Sequence, residues 1–147
     1  MTPGQMLRAT VAETAIQVPG APNALAGRLI EEAGFSAVYV SGATLSAGVL
    51  AMPDIGLITL TELLQQVEHL TARVGIPVIV DADTGFGGVA NVERTVAQLE
   101  RAGAAAIQLE DQELPKRCGH LPGKTLVSTA EMCAKLEAAS ATRADEN

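Results

Sequence analysis

Short uninterrupted runs of apolar residues alternate along the chain with longer segments in which apolar residues recur every three or four positions. The short runs predict buried β-strands, because strands covered on both faces are apolar at successive positions. Four such runs occur, at residues 15–18, 37–40, 77–80 and 105–109. Strands of this kind, each followed by a helical segment, are typical of a parallel sheet in an α/β protein.

The periodic segments predict four helices. Their expected first residues are a first-turn proline and three capping residues, namely Pro22, Thr59, Asn91 and Ser128. Leucines and a valine form the apolar stripe of the second helix: Leu60, Leu63, Leu64, Val67 and Leu70. The last helix is expected to reach residue 139.

This alternation predicts a (β/α)4 arrangement of parallel strands, which is half of a TIM-type (β/α)8 barrel. A complete barrel needs about 250 residues, and the chain has 147. We therefore expect residues 1–147 to form a single partial domain, the N-terminal half of such a barrel, with a polar tail at residues 141–147.

Composition excludes several function classes. Hydrophobic residues make up 48% of the chain and aromatic residues only 2%, so the core must be built from small aliphatic side chains. The net charge of −7 argues against a nucleic-acid partner, and no apolar run approaches the roughly 18 residues of a membrane span. Two cysteines at dissimilar places do not form a disulfide framework, which predicts a cytoplasmic protein.

Carboxylates follow the third and fourth predicted strands. Asp81 and Asp83 come directly after the third strand, and residues i and i+2 of an extended segment point to the same side. Glu110 follows the next strand and can join them. Two adjacent carboxylates are costly without a cation, and hard oxygen ligands suit Mg²⁺, with Mn²⁺ as a substitute. The alternative is that one aspartate caps the following helix and the other faces solvent.

One thiol lies among four groups that carry or can carry positive charge. Residues 116–124 are Lys-Arg-Cys-Gly-His-Leu-Pro-Gly-Lys, a Gly- and Pro-rich loop after the fourth strand. Neighbouring cations favour the thiolate, the reactive form of cysteine. Cys118 is therefore a candidate catalytic residue, with an incidental cysteine in a solvated loop as the alternative. By contrast, Cys133 is predicted to be a small buried apolar group and His69 to face solvent.

A glycine-rich segment offers a competing hypothesis. Residues 85–90 match G-x-G-x-x-A between a strand and a helix, and Glu110 lies about 20 residues further on, where an acid would hold a ribose. However, Asp81 and Asp83 precede these glycines and would repel a pyrophosphate that lacked a metal. A turn that lets the backbone approach a ligand explains the glycines better, and nucleotide binding remains an alternative.

Further candidates lie at and after the second strand. Tyr39 is the only tyrosine, and either packs in the core or faces the site. The amides and hydroxyl of residues 41–43, Ser-Gly-Ala, could form a small nest for a carboxylate. Asp54, in a turn, is either a turn former or a further site carboxylate.

Four segments together resemble the isocitrate lyase/phosphoenolpyruvate mutase superfamily, from about residue 7 to residue 137. They are Tyr39-Val40-Ser41-Gly42-Ala43, Val80-Asp81-Ala82-Asp83-Thr84-Gly85-Phe86-Gly87, Ile107-Gln108-Leu109-Glu110-Asp111-Gln112 and Lys116-Arg117-Cys118-Gly119-His120. The Cys-Gly-His loop resembles the carbon–carbon lyase branch, in particular the 2-methylisocitrate lyases. The phosphonomutase branch lacks that cysteine.

The resemblance implies a role for each matching position. Asp81 and Asp83 match Mg²⁺ ligands, with Glu110 close to the metal, and Cys118 matches the catalytic acid/base. Residues matching substrate contacts or supporting site positions are Tyr39, Ser41, Gly42, Ala43, Asp54, Lys116, Gly119 and His120. The family often has Gly at the position of Ala43.

The implied reaction is retro-aldol cleavage of 2-methylisocitrate, or isocitrate, to succinate and pyruvate, or glyoxylate. The family barrel assembles into homo-oligomers, and it continues into four further βα units that supply a substrate-clamping arginine. We therefore expect little activity from this chain alone. Rival hypotheses are an oxaloacetate hydrolase or phosphonomutase relative, and a non-catalytic nucleotide-binding or assembly module.

Overall fold

A computed structural model describes every residue of the chain, Met1–Asn147. Its elements in chain order are α1 (Pro3–Glu13), α2 (Ala24–Glu32), β1 (Val38–Val40), α3 (Gly42–Gly48), α4 (Leu60–Thr71), β2 (Val78–Asp81), α5 (Val89–Arg101), β3 (Ala106–Gln108) and α6 (Thr129–Thr142). None of the six helices is long and apolar enough to cross a membrane.

The three strands form one parallel sheet in the order β1-β2-β3. Val40 of β1 pairs with Val80 of β2, which in turn pairs with Ile107 of β3. Each connection between neighbouring strands contains at least one helix, as parallel strands require. This arrangement confirms the predicted α/β class and the predicted parallel direction of the strands.

The strand expected at residues 15–18 is absent. The chain instead meets the sheet slightly later, through an isolated parallel bridge between Gly20 and Tyr39. There the Tyr39 N–H donates to the Pro19 carbonyl at 2.9 Å, and the Ala21 N–H donates to the Tyr39 carbonyl at 2.9 Å. Pro19 has no N–H of its own, so a longer ladder cannot be continued through it.

The hydrophobic core lies between the sheet and helix α4. Leu63, Val67 and Leu70 of that helix are each at most 1% exposed, which confirms three positions of the predicted stripe. Strand valines complete this core: Val38, Val40, Val78 and Val80. Strand β3 is less buried than β1 and β2, and a cavity of about 560 Å³ lies beside it, lined by α5, α6 and both chain termini.

Helix starts show which capping signals act. The Thr59 capping box is confirmed, because the Thr59 side chain accepts from the Glu62 N–H and the Glu62 side chain accepts from the Thr59 N–H. Ser128 likewise caps α6. Asn91, however, is not a cap, since α5 begins earlier and its N-cap is Gly88. Helices α1 and α3 lie outside the predicted elements.

The predicted polar tail is partly helical and is attached to the rest of the fold. Helix α6 continues to Thr142, and the Asp145 backbone N–H donates to Glu100 Oε1 at 2.6 Å. The Asp145 carboxylate also accepts from the Thr2 hydroxyl at the start of α1. These contacts fix the tail against α5 and α1.

Candidate functional site

The predicted site residues converge at the carboxyl ends of the strands. Asp81 ends β2, Asp83 follows two residues later, and Glu110 lies two residues beyond β3. Because the strands are parallel, these ends share one edge of the sheet, the edge at which α/β barrels place their active sites. We call this region, defined by Asp81, Asp83 and Glu110, the acidic edge.

Asp81 fixes the geometry of the acidic edge. Its Oδ1 accepts from the Asp83 N–H at 3.0 Å and its Oδ2 accepts from the Gly42 N–H at 3.2 Å. A Cβ atom at Gly42 would lie 3.3 Å from Asp83 Oδ1 and 3.4 Å from Asp81 Oδ2, so only glycine lets the start of α3 approach both carboxylates without a shift. Neither aspartate caps α5, whose N-cap has no side-chain hydrogen bond.

Lys116 lies buried between two aspartates. Its Nζ is 2.5 Å from Asp54 Oδ1 and 2.6 Å from Asp83 Oδ1, and its side chain is 2% exposed. Burial disfavours the charged ammonium, but the hydrogen bonds and charges of Asp54 and Asp83 outweigh it and raise the pKa of Lys116. Lys116 therefore remains charged and joins three separate loops.

Burial raises the pKa of two carboxyl groups at the acidic edge. For Asp83, desolvation outweighs the hydrogen bond and charge of Lys116, so its pKa lies above the usual range. For Glu110, desolvation is again the largest cause, followed by the charge of Asp81. The acidic edge thus carries more negative charge than the Lys116 ammonium neutralises.

The pKa of Tyr39 is also raised by its position at the acidic edge. Burial, followed by the charges of Asp81, Glu110 and Asp83, raises the pKa of Tyr39 to about 12. Its hydroxyl donates to Gln108 Oε1 at 2.8 Å. Tyr39 therefore faces the acidic edge as a neutral hydrogen-bonding group.

The donor set at the acidic edge fits a weakly held divalent cation. No group of three or more His, Cys, Asp or Glu side chains is arranged as a metal centre. However, Asp83 Oδ1 is buried and already faces one positive charge, the Lys116 ammonium at 2.6 Å. Mg²⁺ commonly takes only one or two carboxylates and completes its shell with water and substrate, so Asp81 and Asp83 suffice as protein ligands.

Cys118 lies in the segment of residues 113–125, which we call the cysteine loop. Its Sγ is half-buried and 3.9 Å from His120 Nδ1. The other expected cations have different partners, since Lys116 pairs with the aspartates and Lys124 Nζ donates to the Gly119 carbonyl at 2.5 Å. Among these groups, the one in recorded contact with the thiol is therefore His120.

Two predictions outside the loop have different outcomes. Cys133 is exposed, so the prediction that it is buried is wrong. It lies on the outward face of α6, whereas Lys135 and Ala138 face inward. His69 is exposed, as predicted.

Residues 41–43 do not form a free nest. Ser41 is the N-cap of α3, and its Oγ accepts from the Thr44 N–H at 3.4 Å. Gly42 and Ala43 form the first turn of that helix. Substrate contacts at Ser41, Gly42, Ala43, Asp54 and Gly119 stay predictions.

The glycine-rich segment forms a strained turn. Gly85 has φ +87°, and a Cβ there would lie 2.5 Å from Val92 Cγ2. Phe86 also has a positive φ of 63°. The positive φ angles and the close packing therefore account for this turn, and no bound nucleotide is needed to explain it.

Sequence reasoning missed two buried polar residues. Gln112 is 5% exposed and contacts both Glu110 and Arg117. Lys135, also 5% exposed, lies on α6 with its Nζ 3.4 Å from the Thr84 carbonyl. Lys135 lies three positions before Ala138, so both fall on the inward face of the helix. This spacing is the sequence signal that could have indicated the burial of Lys135.

The chain matches known proteins over nearly its whole length. The phosphoenolpyruvate phosphomutase family matches residues 7–147. The 2-methylisocitrate lyase of Aeropyrum pernix is 55% identical over 144 residues, which cover 97% of this chain and 46% of that protein.

Two solved structures share the fold. Oxaloacetate acetylhydrolase in complex with the inhibitor 3,3-difluorooxalacetate has a TM-score of 0.91 and 38% identity over 96% of this chain and 49% of that chain. Phosphonopyruvate hydrolase in complex with oxalate and Mg²⁺ has a TM-score of 0.89 and 39% identity over 99% of this chain and 50% of that chain.

The chain thus spans about half the length of the relatives it matches, which confirms the predicted half of a TIM-type barrel. The match to the family covers nearly every residue and includes the acidic edge and the cysteine loop. The chain belongs to the phosphoenolpyruvate phosphomutase family, within the superfamily that also contains the isocitrate lyases.

Proposed function

We propose that this chain is the half-barrel part of a carbon–carbon lyase that cleaves 2-methylisocitrate to pyruvate and succinate, or isocitrate to glyoxylate and succinate. The observation that carries the proposal is the 2.6 Å ion pair between Lys116 and Asp83, which attaches the cysteine loop to the acidic edge. A pair of metal-binding carboxylates beside a thiol-bearing loop is what a metal-assisted retro-aldol reaction needs. The identity of 55% to a 2-methylisocitrate lyase supports this substrate class.

Asp81 and Asp83 would hold Mg²⁺ or Mn²⁺, with Glu110 nearby. When bound, the metal would act as a Lewis acid toward the 2-hydroxy acid end of the substrate. The phosphonopyruvate hydrolase structure contains Mg²⁺, which supports this choice of cation for the family.

Cys118 would act as the general acid. In retro-aldol cleavage the substrate hydroxyl loses its proton to a base, its oxygen becomes a carbonyl, and the electrons of the broken C–C bond pass to the departing succinate carbon. The Cys118 thiol would donate its proton to that carbon. His120, 3.9 Å from the thiol, is placed to stabilise the resulting thiolate.

The remaining site residues would bind and orient the substrate. Lys116 stays charged and would partly offset the carboxylates of a tricarboxylate substrate. Tyr39 would act as a hydrogen-bond donor, since its high pKa keeps it protonated. Ser41, Gly42, Ala43 and Gly119 would contact the substrate. Asp54 would support the substrate site through its ion pair with Lys116.

A hydrolase acting on oxaloacetate is the second candidate. The chain shares its fold with oxaloacetate acetylhydrolase, at 38% identity and a TM-score of 0.91. Cys118 distinguishes the two hypotheses, because a reaction that does not protonate a carbon leaving group has no need of a thiol acid. Loss of any catalysed reaction in Cys118→Ala would favour the lyase, and unchanged hydrolysis would favour the hydrolase.

Binding titrations test the proposal without requiring turnover. We expect succinate with pyruvate to bind only when Mg²⁺ is present, and a dinucleotide not to bind. Asp83→Asn should abolish the Mg²⁺-dependent binding, whereas Asp111→Asn, an exposed neighbour, should retain it. Dinucleotide binding that needs no metal would instead support the non-catalytic nucleotide-binding module.

Assembly and location are part of the same proposal. We propose a homo-oligomer, because the outer edge of β3 has no strand partner and lies beside a cavity of about 560 Å³. We propose a cytoplasmic location, because both cysteines are free and the reaction belongs to carboxylic acid metabolism.

A further inference from the structure

Gln112 is a buried amide that has no role in the chemistry described so far. It is 5% exposed and lies between the acidic edge and the cysteine loop. Its Nε2 donates to Glu110 Oε2 at 2.7 Å and to the Arg117 carbonyl at 2.9 Å, and its Oε1 accepts from the Arg117 N–H at 3.1 Å. A buried amide is costly unless its polar atoms are paired, and here both N–H groups and the oxygen have partners.

The chemistry of the partners fixes the orientation of this amide. Rotating the side chain by a half-turn would place its oxygen against the Glu110 carboxylate and the Arg117 carbonyl. It would also point an N–H group at the Arg117 N–H. All three contacts would then be repulsive, so the observed orientation is the only one that these neighbours permit.

The backbone of the same segment closes the base of the cysteine loop. Gln112 and Leu126 form an isolated antiparallel bridge. On either side of it, the Glu113 N–H donates to the Thr125 carbonyl at 2.9 Å and the Val127 N–H donates to the Asp111 carbonyl at 2.9 Å. The backbone thus joins the two ends of the loop, and the Gln112 side chain holds Arg117 inside it.

We propose that Gln112 is a positioning residue that couples the Glu110 carboxylate to the Arg117 backbone and thereby sets where Cys118 stands relative to the acidic edge. Cys118 is the next residue after Arg117, so its backbone position follows from this clamp. The catalytic meaning of the clamp rests on the proposed lyase function. The coupling itself can be measured without any turnover.

Hydrogen exchange in the unmodified protein gives the first test. The Arg117 N–H has the Gln112 acceptor, whereas the Cys118 N–H has no hydrogen-bond acceptor. We expect the Arg117 amide to exchange on the order of tenfold more slowly than the Cys118 amide, the effect of one hydrogen bond. Equal rates at the two amides would overturn the clamp, and this measurement requires no variant to fold.

Gln112→Met gives the second test. Methionine keeps the length of the side chain and removes the three hydrogen bonds that the Gln112 amide makes. We expect the Arg117 amide to exchange about tenfold faster and trypsin to cleave faster after Arg117. The matched control is Gln98→Met on α5, a half-buried amide whose Oε1 has no partner. An equal effect in both variants would show a general loss of stability and would overturn the positioning role.

An exchange of the two side chains separates positioning from mere structural support. Gln112→Glu places a second carboxylate against Glu110 and should release the loop. Adding Glu110→Gln restores a donor for the contact between residues 110 and 112 and leaves the Arg117 N–H an acceptor, whereas the Arg117 carbonyl still lacks its donor. We therefore expect Arg117 protection to recover in part. Absence of recovery would overturn the proposed coupling. A protected Arg117 amide in a protein that binds no succinate and pyruvate in the presence of Mg²⁺ would refute the proposed function and leave the clamp intact.

Discussion

Lys116 Nζ and Asp83 Oδ1 lie 2.6 Å apart, and this ion pair attaches the cysteine loop to the loop that follows β2. The second partner of the same ammonium is Asp54, at 2.5 Å. One buried lysine thus determines the relative positions of three loops that are far apart in sequence. The same ammonium thus attaches the cysteine loop to the acidic edge.

Lys116→Met should strongly destabilise the fold. Removing one partner of a buried ion pair leaves uncompensated charge, a loss of about 3–5 kcal/mol in the free energy of unfolding. Urea denaturation would measure it. Lys124→Met, an exposed position in the same loop, should change stability by no more than about 0.5 kcal/mol. Similar losses in both variants would contradict the structural importance of the ion pair.

The single tyrosine offers a direct measurement of the field at the acidic edge. Tyr39 should titrate near pH 12 in the folded protein, against 10.0 for an ordinary tyrosine. Its folded-state pKa is raised, so its contribution to stability is complete below pH 10.0 and is lost as the pH rises through about 12. Ultraviolet absorbance of the tyrosinate would follow the titration.

Asp81→Asn should lower the pKa of Tyr39, since the charge of Asp81 is the largest electrostatic cause of its increase after burial. Asp111→Asn is the matched control because that carboxylate is exposed. A Tyr39 pKa that does not change in Asp81→Asn would show that the charge of Asp81 does not contribute to the increase.

Metal binding should depend on Asp83. We expect Mg²⁺ and Mn²⁺ to bind weakly to the unmodified chain and Asp83→Ala to reduce the affinity by at least about tenfold, because Mg²⁺ sites rely on one or two carboxylates. Isothermal titration would measure both proteins, with Asp111→Ala as the control. Equal binding by Asp83→Ala and the unmodified chain would exclude this site.

Thiol labelling should distinguish the two cysteines by chemistry rather than by access. Cys133 is exposed and Cys118 is half-buried, so access alone favours Cys133. We nevertheless expect iodoacetamide to label Cys118 faster near neutral pH, since the His120 ring nitrogen 3.9 Å away can accept the thiol proton as the sulfur reacts. His120→Ala should slow labelling of Cys118 and leave Cys133 unchanged, as mass-spectrometric mapping would show. Faster labelling of Cys133 in the unmodified chain would contradict an activated Cys118.

The open edge of the sheet should cause self-association. Strand β3 pairs only with β2, and unpaired edges are templates for pairing with another chain. Light scattering should report a mass above that of the 15.1 kDa chain. Leu136→Lys, which places a charge in the cavity beside β3, should reduce the mass, whereas Val11→Lys on α1 should not. A stable monomer of the unmodified chain would refute this prediction.

Local sequence signals predicted those structural features that depend on residues close together in the chain. The continuous apolar runs gave three of the four expected strands, because burial on both faces is visible in composition alone. The Thr59 capping box was predictable for the same reason, since it needs only residues three positions apart. The placement of Asp81 and Asp83 at the end of β2 followed from their position after an apolar run.

Contacts between distant residues were decided only by the tertiary structure. The sequence placed Lys116 beside Cys118, but the fold turns its ammonium toward Asp54 and Asp83, because a buried cation needs carboxylates more than a thiol does. Even for Gln112, whose partners Glu110 and Arg117 are close to it in the chain, the contacts form only when the loop closes. Residue types and spacing therefore determined the chemistry available to this protein. The packing of loops at one edge of the sheet determined which of those groups act together, since distances across a fold are not set by distances along a chain.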